Sequence, residues 1–245
     1  MSTMSTGSPA TAHPWKASLR LLSANIGTET TIEGAGKSGK TGIFKRGVEG
    51  PVAVTSLGLS GDTISDTENH GGADQAVYLY GAPDYAWWSE ELGRELPPGT
   101  FGENLTVSGV KSAEYCIGDR FLIGPVILEV TAPRIPCSTL GARMGDRMFV
   151  KRFMRAERPG LYCRVIRGGE VRTGDVVEWE RYEGEKVLAI ELFRDFFDAE
   201  TSESTLRRHL SVPIAERARV QKVEQLERLL ARDGLSTRGV AVSES

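Results

Sequence analysis

The chemistry that this sequence supports most readily is that of a thiolate at Cys137. This residue ends the run Ala-Pro-Arg-Ile-Pro-Cys, in which Pro133 and Pro136 prevent regular strand pairing. Arg134 lies three residues away, and a nearby cation stabilises the thiolate form of a cysteine. A thiolate can act as a nucleophile or as a soft metal ligand. From the residues alone, an exposed loop thiol without a chemical role remains the alternative.

The other cysteines have structural settings. Cys163 would share one face of a strand with Leu161 and Val165, which predicts a core position. Cys116 lies at a predicted strand edge and is also expected to be structural. Three cysteines far apart, with no C-x-x-C pair, indicate reduced thiols. The three histidines are equally scattered, so local motifs assemble no four-ligand zinc site.

Two further clusters have residue types that suit a ligand. In His70-Gly71-Gly72 the two glycines would let a ligand approach the backbone closely. Lys45 and Arg46 together suit a phosphate or another anion. Each cluster also has a plainer interpretation, which is a turn with a solvated histidine in the first case and a solvated basic face in the second.

A third cluster, Phe-Gly-Glu-Asn at residues 101–104, is a weaker candidate. Asn104 could offer a donor and an acceptor to a heterocycle, or it could belong to a polar turn before a strand. Asp62 and Asp66 are expected to be solvated loop carboxylates.

Residues 34–41 match the phosphate-binding pattern G-x-x-x-x-G-K-[ST] letter for letter. A working loop of this kind needs a buried strand before it and a helix after it. The preceding residues 28–33 are polar, and the following Gly-Ile-Phe-Lys-Arg-Gly does not favour a helix. We therefore expect a basic hairpin loop, with a P-loop nucleotide binder as a remote alternative.

The elements that must position these residues are mostly short strands, which favour a mainly β fold with a closed or nearly closed antiparallel barrel. The predicted strands are Leu19–Asn25, Val52–Leu57, Ala76–Tyr80, Leu105–Val107, Phe121–Ile123, Val126–Val130, Leu161–Ile166 and Val176–Trp179. The Gly168-Gly169 pair predicts a two-residue hairpin.

Helix signals are fewer. Pro83 and Gly93 bracket a predicted helix over residues 84–92, and Asp146 could begin a second helix that ends before Pro159-Gly160. Beyond residue 186 the spacing predicts three short helices, at residues 205–210, 214–219 and 223–230. The expected organisation is a disordered lead-in (1–18), a barrel domain (19–185), a three-helix appendage (186–235) and a flexible tail (236–245).

Composition excludes several classes of protein. The net charge of −3 argues against a general nucleic-acid binder. No apolar run approaches the roughly 20 residues that would span a bilayer. The first 16 residues lack the basic start and apolar core of a signal peptide, so we expect a cytoplasmic location.

Taken together, the motifs resemble the MOSC family, named for the C-terminal domain of molybdenum cofactor sulfurase. The resemblance covers residues 19–180, and the helices that follow resemble the extension of the N-hydroxylaminopurine-resistance subgroup. Two positions depart from that subgroup, Gly47 in place of proline and Ala132 in place of glutamine. The motifs, in order, are Thr41-Gly-Ile-Phe-Lys-Arg, Gly58-Leu-Ser-Gly-Asp, Asp66 with His70-Gly-Gly, Ala76-Val-Tyr, Phe101-Gly-Glu-Asn-Leu, Pro133-Arg-Ile-Pro-Cys, Gly160-Leu-Tyr-Cys-Arg-Val and Gly174-Asp.

The resemblance implies a MOSC-type β-barrel that binds a molybdenum cofactor of the molybdopterin type. It implies that Cys137 ligates the metal and acts in catalysis together with His70. Lys45 and Arg46 would pair with the cofactor's phosphate. The other implied cofactor-binding residues are His70, Gly71, Gly72, Asn104 and Arg134, and Arg134 could instead hold an anionic substrate group.

The implied activity is a two-electron reduction of N-hydroxylated bases or related N-oxygenated compounds, a detoxification. No flavin, haem or iron–sulfur motif occurs in the sequence, so a separate electron-donor protein would be needed. The main alternative is a non-catalytic carrier of the cofactor or of sulfur. The sequence leaves the oligomeric state open.

Overall fold

A computed structural model of the chain describes residues 19–33, 39–63, 71–198 and 200–240, with side chains up to residue 232. The strands are β1 Leu19–Ile26, β2 Thr30–Thr31, β3 Lys40–Thr41, β4 Arg46–Gly47, β5 Val52–Thr55, β6 Gly58–Leu59, β7 Val77–Gly81, β8 Leu105–Val107, β9 Arg120–Ile123, β10 Val126–Pro133, β11 Leu161–Arg167, β12 Gly169–Val171 and β13 Val176–Glu180. The α-helices are α1 Ala82–Leu92, α2 Ser138–Met144, α3 Phe149–Ala156, α4 Ala189–Phe197, α5 Glu203–Leu210 and α6 Glu216–Val240.

Seven strands form a closed barrel. They pair in the order β13, β9, β10, β11, β7, β8 and β1, and β1 pairs again with β13. All of these pairs are antiparallel except β7–β8, which is parallel. A parallel pair needs a long crossover, and residues 82–104 with α1 provide it. The predicted β-barrel is confirmed, but the expectation that it is wholly antiparallel is wrong at this pair.

The barrel strands bury side chains on both faces. Val77, Leu79 and Cys163 belong to the core that all seven strands share, inside the barrel. Cys163 is fully buried, as its strand pattern predicts, and this burial raises its pKa. Tyr78 and Tyr80 alternate with the interior residues and belong to a second, aromatic core covered by the first four helices.

Before the C-terminal region, both predicted helices are confirmed and one helix was missed. The first helix, α1, ends at Gly93, whose φ of 61° lies in the left-handed region that glycine favours. The second, α3, begins at Phe149. Just before it, the Asp146 side chain accepts a hydrogen bond from the Met148 N–H at 2.8 Å. The missed helix is α2, which begins directly after Cys137.

The predicted hairpin at Gly168-Gly169 is wrong. Strand β12 pairs with β5 rather than with β11, and β5 also pairs with β6 to form a separate three-stranded sheet. A Cβ atom at Gly168 would lie 2.6 Å from the carbonyl oxygen of Val54. The glycine therefore allows the close approach of two distant backbone segments, which a local turn motif cannot reveal.

The C-terminal helices pack on the barrel. Val187, Leu192 and Ile214 belong to the same core as the barrel strands. Of the three predicted short helices, the one at residues 205–210 is confirmed as α5, whereas the division between the other two is wrong. The chain forms α4 where none was predicted, and the last two predicted helices are one continuous helix, α6, since residues 219–223 contain no helix breaker. Although α6 is long, no helix in the described ranges is long and apolar enough to cross a membrane.

The expected domain boundaries remain predictions. Residues 1–18 and 241–245, which contain the predicted lead-in and half of the predicted tail, lie outside the described residues. The helices from α4 onward share a core with the barrel, so the predicted appendage does not have a separate core of its own.

Candidate functional site

Neighbouring strands bring several of the predicted site residues to one end of the barrel. Ala132 of β10 pairs with Tyr162 of β11, which in turn pairs with Tyr78 of β7. The backbone N–H of Asn104, just before β8, donates to the Tyr78 carbonyl at 2.7 Å. Arg134 directly follows β10. This register places residues from distant parts of the sequence side by side.

Cys137 lies at the N-terminal end of α2 and not in an open loop. Its backbone is extended, with φ −124° and ψ 172°, and its carbonyl accepts a hydrogen bond from the Leu140 N–H at 3.0 Å. The helix ends at Gly145, whose φ is 66°. The reduced thiol is half-buried, so it is held in a fixed position and is still accessible from one side.

A buried ion pair joins Lys45 to Asp62. Their side chains are 8% and 5% exposed, and the Lys45 ammonium contacts a carboxylate oxygen of Asp62. Asp62 also accepts hydrogen bonds from the Gly27 N–H and from Asn104 Nδ2, both at 2.8 Å. Burial lowers the pKa of Lys45, while the charge of Asp62 acts in the opposite direction. The expectation that Asp62 is a solvated loop carboxylate is therefore wrong.

Asn104 connects this ion pair to the barrel. Its Oδ1 accepts a hydrogen bond from the Tyr78 N–H at 3.1 Å, and Nδ2 also approaches the Asn25 carbonyl at 3.4 Å. Both ends of the amide thus contact protein groups, and the residue holds Asp62 in place. The predicted contact between Asn104 and a heterocycle remains a prediction.

Glu103 is a buried acid that sequence reasoning did not single out. Its Oε1 accepts hydrogen bonds from Tyr85 Oη at 2.7 Å, the Gly99 N–H at 2.6 Å and Thr106 Oγ1 at 2.7 Å. Its Oε2 is buried and has no hydrogen-bond partner among the described residues. Burial raises the pKa of Glu103, which favours the neutral acid. The sequence signal would have been its place between Gly102 and Asn104.

Arg134 is almost completely buried beside the thiol. It donates a hydrogen bond to the Phe101 carbonyl, and its guanidinium carbon lies 5.2 Å from the centre of the Tyr78 ring. Its Nε is buried without a hydrogen-bond partner in the described ranges. Burial opposes the charge, but interactions with Tyr78, Tyr162 and Cys137 raise the pKa of Arg134. The structure thus brings the predicted cation and the predicted thiol together.

The two residues of the predicted pair, Lys45 and Arg46, lie in different environments. Lys45 is buried, whereas Arg46 in β4 is exposed. Arg46 instead acts electrostatically on Arg143 of α2, whose pKa is lowered by burial, by Arg94 and by Arg46 itself. The guanidinium of Arg143 lies 4.6 Å from the centre of the Phe44 ring. These three arginines form a cationic region that suits an anion, and Arg143 was not predicted.

A cavity of about 750 Å³ lies between the barrel and the C-terminal helices, and Cys137 forms part of its wall. Its volume falls within the roughly 300–1,000 Å³ of small-molecule sites. The lining residues are Gln75, Ala132, Pro133, Ile135, Pro136, Cys137, Tyr162, Leu192, Asp195, Phe196, Asp198, Ala215, Arg217, Ala218, Gln221, Lys222, Glu224, Gln225 and Arg228. Cys137 therefore borders the cavity, whereas Lys45, Arg46 and Asn104 are not part of its lining.

Part of the predicted site lies outside the described residues. His70 and Asp66 lie outside the described residues, as do residues 34–38 of the apparent phosphate-binding loop. Gly71 and Gly72 have φ values of 85° and 80°, so this turn does require glycine. Lys40 and Thr41 form strand β3, which pairs with β2. The helix that a nucleotide-binding loop needs directly after it is therefore not present there.

Comparisons with known proteins identify the family of this chain. A family model described as the MOSC domain matches residues 66–178. The chain is 34% identical to the uncharacterized protein YflK of Bacillus subtilis over 212 residues, which are 86% of this chain and 96% of YflK. The chain belongs to the MOSC domain family. Membership was predicted from the motifs and is confirmed, whereas the subgroup remains a prediction.

Two further comparisons concern a solved structure and a longer relative. The crystal structure of YiiM from Geobacillus stearothermophilus has a TM-score of 0.71 with this chain at 24% identity, over 85% of this chain and 99% of that one. This likeness shows the fold. A protein named Reductase from Gibberella moniliformis is 34% identical over 139 residues, which are 55% of this chain. Those residues are only 25% of that protein, so its name describes a much longer chain.

Proposed function

We propose that this MOSC protein binds a molybdenum cofactor at Cys137 and reduces N-hydroxylated bases or related N-oxygenated compounds. The observation that carries the proposal is the position of the thiol. Cys137 is half-buried, lies next to the buried cation Arg134 and borders a cavity of about 750 Å³. A reduced cysteine in such a position can ligate a metal and face a small substrate at the same time.

The residues around Cys137 fit the proposed cofactor. No group of three or more His, Cys, Asp or Glu side chains among the described residues could hold a metal ion alone, so a metal here would need ligands from elsewhere in addition to the thiolate. A dithiolene provides soft ligands of that kind. The buried Nε of Arg134 has no hydrogen-bond partner in the described chain, and it could donate to an oxygen of the bound group.

The cationic residues fit the anionic end of such a cofactor. Lys45 has three N–H donors, so it can keep Asp62 as a partner and still donate to a phosphate. Arg46 and Arg143 supply further charge in the same region. The Lys45–Arg46 pair would thus bind the phosphate with Arg143 as an additional residue. We propose roles in cofactor binding for Gly71, Gly72 and His70 on the motif alone.

When bound, the cofactor supplies the two-electron redox chemistry. The reaction consumes two electrons and two protons, breaks the N–O bond of R–NHOH and gives R–NH₂ and water. The electrons would come from a separate donor protein, since the sequence has no flavin, haem or iron–sulfur motif. The protein's own residues orient the substrate in the cavity and hold the thiol at its wall. His70 is the proposed proton-transfer residue.

Two observations support the reduction of N-hydroxylated compounds as the activity. The Gibberella relative is named a reductase. The chain also carries helices α4 to α6 after the barrel, as the N-hydroxylaminopurine-resistance subgroup does by the resemblance stated above. We therefore assign the protein to that subgroup as part of the proposal.

The proposal is tested by turnover. Protein purified from a host that makes the cofactor is mixed with a reduced artificial electron donor and an N-hydroxylated purine, and formation of the aminopurine is followed. We expect turnover by the wild type and none by Cys137→Ser. If molybdenum-loaded wild-type protein reduces neither the purine nor a simple hydroxylamine, the carrier function replaces the enzymatic one.

A further inference from the structure

Helices α4 and α6 form one wall of the cavity beside Cys137. The barrel side is made by residues around the end of β10, including Pro133, Ile135 and Pro136. The C-terminal helices and the residues beside them line the opposite side of the cavity, from Leu192 onward. Arg164 of β11 holds this wall in place, because its Nη2 donates to the carbonyls of residues 213 and 214, both at 3.2 Å, just before α6 begins. The helical wall is thus a fixed part of the cavity.

The charges of the cavity wall cancel. Three carboxylates and three cations line it, and one of each sign forms a partly buried ion pair between Lys222 and Asp195. A site for a phosphate group would carry an excess of positive charge. The balance therefore favours a ligand without net charge. The six charged lining residues are Asp195, Asp198, Glu224, Arg217, Lys222 and Arg228.

Two lining residues suit a flat ring with a polar edge. Phe196 is 57% exposed although it lies in the cavity wall, so one face of its ring can stack on a planar ligand. Gln75 Oε1 is buried and has no hydrogen-bond partner among the described residues. A ligand N–H or O–H would satisfy this acceptor, and a buried acceptor without a partner is costly.

We infer that this cavity is the substrate pocket and that it takes the uncharged ring of an N-hydroxylated heteroaromatic base, free or as its nucleoside but without phosphate. Phe196 stacks on the ring and Gln75 accepts a hydrogen bond from its exocyclic nitrogen or hydroxyl group. The inference rests on the proposed function for the site of reduction at Cys137. It assigns to the C-terminal helices the role of selecting the substrate.

The inference is tested by calorimetric binding to the purified protein, with an N-hydroxylated purine and its nucleoside 5′-monophosphate as probes. We expect the nucleotide to bind at least about tenfold more weakly than the base. Phe196→Ala should weaken base binding about tenfold, which corresponds to about 1.4 kcal/mol and lies within the usual range for base–aromatic stacking. Gln75→Leu should weaken it similarly without lowering the melting temperature, because it removes an unsatisfied buried acceptor.

Leu230→Ala is the control, since it truncates an exposed apolar side chain of the same helical wall, on α6, at a position outside the cavity lining, and we expect unchanged affinity. The inference is overturned if both the Phe196 and Gln75 variants bind the base as the wild type does, or if the nucleotide binds as tightly as the base. In molybdenum-loaded protein, Phe196→Ala should raise KM and leave kcat nearly unchanged.

Reduction of N-methylhydroxylamine separates this inference from the proposed function, because this small substrate has no ring to stack. If it is reduced while the base binds equally to all variants, the pocket inference is wrong and the proposed function stands. If the base shows the expected binding pattern and neither compound is reduced, the pocket inference stands and the proposed function is wrong.

Discussion

Removal of Asp62 tests the buried ion pair with Lys45, the residue that is proposed to bind the phosphate of the cofactor. In Asp62→Ala the Lys45 ammonium would remain buried, at 8% exposure, without its carboxylate. The Gly27 N–H and Asn104 Nδ2 would each lose a hydrogen bond of 2.8 Å. Breaking a buried pair in this way costs about 3–5 kcal/mol. The two lost hydrogen bonds place the expected loss in the upper half of that range.

The loss is measured by guanidinium chloride unfolding at pH 7, followed by tryptophan fluorescence. Lys45→Met should cost less than Asp62→Ala, because Asp62 would keep the Gly27 and Asn104 donors. The double variant Lys45→Met/Asp62→Ala should cost less than the sum of the two single losses, because no buried charge is then left alone.

Glu29→Ala is the matched control for a surface pair. Glu29 and Lys40 are 41% and 57% exposed, and their ion pair is 2.9 Å long, so its loss should cost less than about 1 kcal/mol. If Asp62→Ala costs no more than Glu29→Ala, or if the double variant loses the full sum, Lys45 and Asp62 are not the buried and coupled pair described above.

Two further predictions concern the acid and the helical wall. Burial raises the pKa of Glu103 above its ordinary value of 4.5, so the folded protein binds more protons than the unfolded chain between the two values, and stability falls as the pH rises through that window. Glu103→Gln should lack this fall and match or exceed the wild type in urea unfolding at pH 7; a variant less stable at every pH would contradict the burial argument. Arg164→Ala should speed amide exchange at Ala215 and Arg219, at the start of α6, while the barrel strands stay protected; unchanged exchange there would mean that Arg164 does not anchor the helix.

The sequence predicted those parts of the fold that depend on local pattern. Strand alternation predicted the interior position of Cys163, and the residues around α1 predicted its ends, because both signals come from residues close in sequence. The parallel pair β7–β8 and the pairing of β12 with β5 depend on contacts between distant segments. No local motif contains that information.

The sequence identified several residues of the candidate site but not the contacts between their side chains. The motifs identified Lys45, Asn104 and Arg134, and the structure brings them to one end of the barrel. Asp62 was expected to be solvated because nothing near it in sequence shows its burial. Helix α2 was missed because Pro136 suggests a loop and Cys137 is not a usual capping residue.

The cavity was the least predictable part of the site. It forms only when α4 and α6 pack against the end of β10, so its lining comes from segments that lie up to about 150 residues apart in the sequence, from Gln75 to Arg228. The residues that suit a substrate there, Phe196 and Gln75, have no motif of their own. Their setting follows from tertiary packing alone.

The central claim is that Cys137 holds molybdenum, and metal analysis tests it most directly. Wild-type protein from a host that makes the cofactor should contain close to one molybdenum atom per chain, and Cys137→Ser should fall to background. Cys163→Ala is the matched control, because this cysteine lies inside the barrel, and it should keep its molybdenum. Equal and low molybdenum in the wild type and in Cys137→Ser would contradict the account.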